Sequence, residues 1–122
     1  THSASSAASD VYKRQELGTA LQSGLNPVIL IINNSSYGTI RMHQERHYPH
    51  RVSGTAIVNP DYLAIAAAYG FHGERVTRTE EFTAAYDRAC AAPNGAIVEI
   101  VTSTEAISPR TTISALREAA GG

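Results

Sequence analysis

An α/β fold with a parallel sheet flanked by helices is predicted by three observations. Val28–Ile32 is a β-branched apolar run that does not alternate, helix and strand patterns take turns from Glu16 onward, and turn residues stand at the junctions. The first helix is marked by Leu17, Ala20 and Leu21 at helical spacing, with Gly24 stopping it ahead of Asn26-Pro27. Val28–Ile32 then reads as a strand covered on both faces, ending at Asn33-Asn34. Asn33-Asn34-Ser35-Ser36 is turn chemistry; Tyr37 to about Arg46 reads as a helix, and His47 to Val58, with Pro49 and Gly54, as a loop.

Asn59-Pro60-Asp61 signals the next helix start, with Asn as cap and Pro at the first helical position, and Tyr62, Ile65, Ala66 and Tyr69 form its apolar face before Gly70. Phe71–Val76 reads as a short strand. Thr79-Glu80-Glu81 opens a helix whose Phe82, Ala85, Tyr86, Ala89 and Cys90 make one stripe, halted by Pro93-Asn94-Gly95. Ala96–Val101 is the next strand, and Thr112–Ala120 the last helix. No internal repeat is found. Strands separated by helices in this order imply parallel pairing with right-handed crossovers, and ligands in such sheets sit beyond the carboxyl ends of strands.

The 122 residues, 43% hydrophobic and 17% charged, suit one globular domain. Ten Lys and Arg face eleven Asp and Glu without a long run of either sign, which argues against a nucleic-acid partner. The single cysteine permits no internal disulfide, so the cytoplasm is the expected compartment. The longest apolar run, Val28–Ile32, is far short of the roughly 20 residues of a membrane span, and no secretory signal opens the chain. Thr1 to Arg14 is Ser- and Ala-rich and ends in Asp10-Val11-Tyr12-Lys13-Arg14, which with Gln15 resembles a translated sequencing-library adapter. It is read as a foreign or disordered leader, and residues 15–122 as the folded part.

Chemistry is expected first at Asn33-Asn34, where amide oxygens, loop carbonyls and helix N–H groups converge. Magnesium takes oxygen ligands from few protein groups plus phosphates, and helix N-termini attract phosphate. On the pair alone a plain turn is the simpler reading, since Asn after a strand often serves its own backbone.

The block Val28-Ile29-Leu30-Ile31-Ile32-Asn33-Asn34-Ser35-Ser36-Tyr37-Gly38-Thr39-Ile40 resembles the second half of the thiamine-diphosphate motif. Gln15–Ala20, Arg41–Arg46, Asn59-Pro60-Asp61-Tyr62, Glu105-Ala106-Ile107 and Pro109 are similar to acetolactate-synthase-like members of that family, so the resemblance spans about Gln15 to Arg117. It implies a Rossmann-like half domain with a partial parallel sheet. It further implies that Asn34 gives its side-chain oxygen and Ser36 its carbonyl to Mg2+, that Ser36, Tyr37 and Gly38 lie against the diphosphate of thiamine diphosphate, and that Ile40 nears the reacting end. No residue of the chain is assigned a catalytic role.

The resemblance also implies what is missing. The family's motif begins with Gly-Asp-Gly, and counting back from Asn34 to the place of that aspartate lands on Ala7, with Asp10 out of register. The glutamate that activates the cofactor belongs to a separate N-terminal domain, usually another subunit's, so homo-oligomerisation through that domain is implied. The intact relative would decarboxylate a 2-oxo acid and pass the resulting enamine to a second carbonyl; this chain is expected to be an incomplete, inactive fragment. The competing expectation is a non-catalytic α/β binding or assembly module that has lost its metal site.

Other residues are weighed against plainer roles. His43 and His47 stand at i and i+4 and could share a helix face, but they lack the acid next to the first His that a metalloprotease motif needs, so with His50 they read as solvated or substrate-facing rather than zinc-binding. Cys90 reads as a packed, inert thiol. Glu99 fits either a buried acid or a solvated strand face. Arg41 and Arg46 could meet a substrate carboxylate, although an exposed helix face explains them better.

Overall fold

Three short strands form the centre of the fold, two of them, Val28–Asn33 and Ala96–Val101, dominated by Val and Ile. In the computed structural model, which describes residues 15–120, β1 (Val28–Asn33), β2 (His72–Val76) and β3 (Ala96–Val101) make a parallel sheet in the order β1-β3-β2. The expected leader, Thr1 to Arg14, lies outside the described residues. Register places Ile31 and Arg75 on either side of Glu99, and Asn33 beside Val101. All three strands therefore end at the same edge, where their carboxyl ends meet the loops that follow.

Among the described residues there are five helices: α1 (Gln15–Gln22), α2 (Gly38–His47), α3 (Tyr62–Ala68), α4 (Phe82–Ala91, preceded by a 3-10 turn at Thr79–Glu81) and α5 (Ile113–Ala120). On one face α4 lays Ala85 and Ala89 against Val76, Ala96 and Val98. On the other, Ala66 and Phe71 pack on Ile97 together with Leu17, Ile29, Ile31, Ile65 and Tyr69. Alanines at these contacts let helix and sheet approach closely, and burying each valine contributes roughly 1.5–3 kcal/mol. The α/β class and the parallel sheet are as the sequence implies.

Four expectations are corrected. β1 is not covered on both faces: Leu30 and Ile32 remain 42% and 65% exposed, because β1 is an edge strand among the described residues and α4 packs on β2 and β3. Cys90 is exposed rather than packed. The stripe of α4 that touches the sheet is narrow, set by Ala85 and Ala89, so Tyr86 and Cys90 fall beyond it. There Phe82 and Tyr86 stack with ring centroids 5.8 Å apart, and the Cys90 thiol raises the Tyr86 hydroxyl above its usual pKa.

The third correction concerns α3, which begins at Tyr62, not at Pro60. Asp61 is its cap, its carboxylate accepting from the backbone N–H of Leu63 at 3.0 Å and Ala64 at 3.3 Å, an arrangement worth about 1 kcal/mol. Asn59 is thereby freed for another task. The fourth is an unanticipated hairpin, β4 (Ala106–Ser108) with β5 (Thr111–Thr112), that leads into α5. α5 docks on α2, and β4 comes beside α2 as well.

Candidate functional site

The carboxyl end of β1 turns sharply through two overlapping side-chain-to-backbone closures. Asn33 Oδ1 accepts from the Ser35 N–H at 2.9 Å, and Asn34 Oδ1 accepts from the Ser36 N–H at 3.0 Å. Such Asx turns are what Asn offers after a strand, and they hold Ser35 at φ 51°, in the left-handed region. The returning loop secures the turn from behind: Tyr37 N–H and Ser36 Oγ both donate to the Thr55 carbonyl, at 2.9 and 3.0 Å, while the Ile57 N–H donates to the Ser35 carbonyl at 3.0 Å. Thr55 itself is buried, and its hydroxyl makes no hydrogen bond among the described residues.

Helix α2 starts directly after this turn with Tyr37 at its N-cap and, among the described residues, no side-chain cap. Its first N–H groups are thus left for another acceptor, and the helix carries a partial positive charge at that end. Gly38 opens the helix close against the turn: a Cβ there would stand 2.9 Å from Asn34 Nδ2, so a larger residue would push the Asn34 amide aside. In front of it is a hollow of about 350 Å³ lined by Asn34, Gly38, Thr39, Met42, Ala106 and Ile107. The place, beyond the carboxyl end of a parallel strand, is where ligands of such sheets sit.

Of the residues singled out from sequence, Asn34 and Gly38 line the hollow. Ser36 contributes to the turn beside it, and Tyr37 and Ile40, 48% and 54% exposed, lie on the same stretch of surface without lining it. Sequence reasoning missed Thr39 and Met42, which the spacing from Gly38 places on one helical face, and gave Ala106 and Ile107 no role in a site. Those two depend on a hairpin too short for its pattern to show.

Two buried carboxylates flank this region. Glu99, undecided in sequence between a buried and a solvated place, is buried: Oε1 accepts from Asn33 Nδ2 and Oε2 from Arg75 Nε, each at 2.6 Å. Glu99 raises the Arg75 guanidinium above its usual pKa, and Arg75 also approaches Asp61 at 3.8 Å. Asn59 Nδ2 donates to Asn33 Oδ1 at 2.8 Å, and the Tyr62 hydroxyl donates to Asn59 Oδ1 at 3.1 Å.

Glu45, on α2, is fully buried. Arg117 of α5 donates to it through Nε at 2.9 Å and Nη2 at 2.7 Å, Arg41 through Nε at 2.9 Å, and the His50 backbone N–H at 2.9 Å. The hydrogen bonds from Arg117, helped by those from His50 and Arg41 and opposed by burial, hold the Glu45 carboxyl down to about 2. Arg41 is therefore engaged within the fold, whereas Arg46 is exposed. His43, His47 and His50 are exposed, and no group of three potential metal-ligating His, Cys, Asp or Glu side chains occurs among the described residues. Among the same residues no helix is long and apolar enough to cross a membrane.

Comparison with known proteins bears on the same stretch of chain. Residues 11–100 match the model of the thiamine pyrophosphate enzyme C-terminal TPP-binding domain. The chain is 38% identical over 74 residues to the acetolactate synthase isozyme 2 large subunit of Escherichia coli, covering 60% of this chain and 14% of that protein. It is 42% identical over 69 residues to the mitochondrial acetolactate synthase catalytic subunit of Saccharomyces cerevisiae, covering 57% and 10%. With the acetolactate synthase large subunit of Cyanidium caldarium it shares 34% identity over 92 residues, covering 74% and 16%. The matched stretches span only 10 to 16% of the length of these relatives.

Proposed function

We infer function from family and site together: the chain belongs to the thiamine pyrophosphate enzyme C-terminal TPP-binding domain family, and we propose that its hollow is the diphosphate and magnesium side of a cofactor site. The observation that carries this is the start of α2, without a side-chain cap among the described residues, opening beside Asn34 and Gly38 onto the hollow at the end of β1. The residues present fit a diphosphate. Free helix N–H groups supply donors, the missing Cβ of Gly38 leaves the close approach open, and a helix N-terminus favours the negative charge.

In this reading the N–H groups at the start of α2, with Ser36, Tyr37 and Gly38, hold the diphosphate. Asn34 Oδ1, which among the described residues accepts only from the Ser36 N–H, and the Ser36 carbonyl would hold magnesium, and Ile40 would contact the cofactor nearer its reacting end. Bound thiamine diphosphate supplies the electron-sink chemistry by which a 2-oxo acid loses carbon dioxide and its remaining fragment passes to a second carbonyl, as in acetolactate synthases. The chain's own contribution is binding and orientation. The remaining magnesium carboxylate and the group that activates the cofactor would come from the rest of a longer, oligomeric protein, with the cytoplasm as its proposed compartment.

Calorimetry with thiamine diphosphate and Mg2+ tests the reading. The 122-residue chain alone should not reach a micromolar dissociation constant, about −8 kcal/mol. In the intact protein, Asn34→Ala and Gly38→Ala should each weaken cofactor binding, the first by losing a metal ligand and the second by pushing Asn34 aside. His47→Ala and Cys90→Ala should leave it unchanged. Equal affinity in Asn34→Ala and the parent would remove Asn34 from the ligand shell.

A further inference from the structure

We propose that Glu99 is a positioning residue for the Asn33–Ser36 turn, fixing which way the Asn33 amide faces and so holding Asn34 and Ser36 in place. This rests on the cofactor reading above only for its functional consequence; the geometry stands independently. Glu99 sits in the middle of the central strand, on the same face as Ile97, with Arg75 directly across one neighbouring strand and Asn33 diagonally across the other. Asn33 donates to Oε1 through its NH2, so its Oδ1 points the other way. There it gathers the Ser35 N–H at 2.9 Å, the Ser35 hydroxyl at 3.3 Å and Asn59 Nδ2 at 2.8 Å.

The consequence is an ordered chain of donors and acceptors with one orientation. Arg75 donates to Glu99, Asn33 donates to Glu99, and Ser35 and Asn59 donate to Asn33. Ser35 keeps its positive φ through that last link, and its carbonyl and the next amide fix where Asn34 and Ser36 project.

Replacing Glu99 by Gln must break one link, whichever way the new amide turns. If its oxygen serves Arg75, its NH2 faces Asn33, which must flip and present NH2 to the Ser35 N–H and Asn59. If its oxygen serves Asn33, its NH2 faces Arg75. Asn33→Asp alone sets two carboxylates against each other. In the double variant, Asn33→Asp combined with Glu99→Gln, every link returns. The new glutamine accepts from Arg75 and donates to one oxygen of the new aspartate, whose other oxygen accepts from Ser35 and Asn59. A residue needed only for bulk or charge would show no such rescue.

The test uses two readouts on the parent, both single variants and the charge-swapped double variant. Amide hydrogen exchange resolved by NMR on the cofactor-free chain compares Ser35 with Val98 at the centre of β3. Calorimetry on the intact protein measures its affinity for thiamine diphosphate with Mg2+. Each single variant should speed Ser35 exchange and weaken the cofactor about tenfold, with Val98 less affected, and the double variant should restore both. If a single variant fails to fold, the double variant still decides. A double variant that is unfolded, or folded with neither property restored, overturns the proposal, as does Ser35 exchange unchanged in Glu99→Gln. A parent that does not bind the cofactor defeats the functional reading, while the exchange pattern still judges Glu99.

Discussion

Glu45 offers the sharpest test of what holds the wall of the hollow in place. Each of its oxygens takes two donors, Oε1 from Arg41 Nε and Arg117 Nη2, and Oε2 from Arg117 Nε and the His50 N–H. In Glu45→Gln one oxygen becomes NH2, so two hydrogen bonds are lost, two donors face a donor, and both guanidinium groups lose their counter-charge. Breaking a buried pair from one side costs about 3–5 kcal/mol. Arg41 and Arg117 keep 24% and 25% of their side-chain surface in water, which recovers part of that and leaves about 3 kcal/mol. With a urea m-value of about 1.5 kcal/mol/M, the unfolding midpoint followed by far-ultraviolet circular dichroism at pH 7 should fall by roughly 2 M. Because Arg117 ties α5, and with it the β4 wall at Ala106 and Ile107, to α2, hydrogen exchange should accelerate in residues 106–120 before it does in β3. A midpoint shift below about 0.5 M, under 1 kcal/mol at that m-value, would refute the reasoning.

Two further outcomes follow from the same geometry. Glu45 and Glu74 are both held down to about 2 from an ordinary 4.5, Glu74 by Arg88 first and then His72. Groups with lowered folded-state values stabilise the fold fully above the unfolded value, so stability should hold above about pH 4.5 and fall progressively toward pH 2. Glu45 should supply most of the loss, because Arg88 is half exposed and its pair with Glu74 is screened; a Glu45→Gln variant with the parent's slope between pH 4.5 and 2 would contradict this. The open apolar side of edge strand β1, with Leu30 and Ile32 exposed, should make the isolated chain self-associate. Ile32→Lys should lower the weight-average mass in sedimentation at high concentration, and an unchanged mass would place the contact elsewhere.

The sheet and helices were legible because their signals are apolar periods. Ala96–Val101 is legible because five of its six residues are apolar and three of those, Ala96, Ile97 and Val98, are buried. Where a boundary depended on which polar group caps a helix, sequence misled. Asn59, Pro60 and Asp61 all suit a helix start, and only the presence of Asn33 2.8 Å from Asn59 shows why Asp61 took the cap. Cys90 was misjudged because a stripe recurring at helical spacing says which residues share a side, not how wide a band the neighbouring sheet can cover. The hairpin at Ala106–Thr112 is too short to establish a period at all.

The polar connections were invisible for a different reason: each joins residues far apart in sequence, as Glu45 with Arg117 and Asn33 with Glu99 do. Their effect on the site can still be reasoned from strand alternation. Asn33 and Asn34 look interchangeable in the sequence, but Asn33 is the last residue of β1 and shares a face with Ile31, toward Glu99, while Asn34 has left the strand and lines the hollow. A carbonyl oxygen has two lone pairs, and among the described residues Asn33 Oδ1 already serves three donors whereas Asn34 Oδ1 serves one. Only Asn34 therefore has acceptor capacity left for an outside ligand. Both asparagines close the turn, but the first is filled by its own fold and the second keeps room beside the hollow.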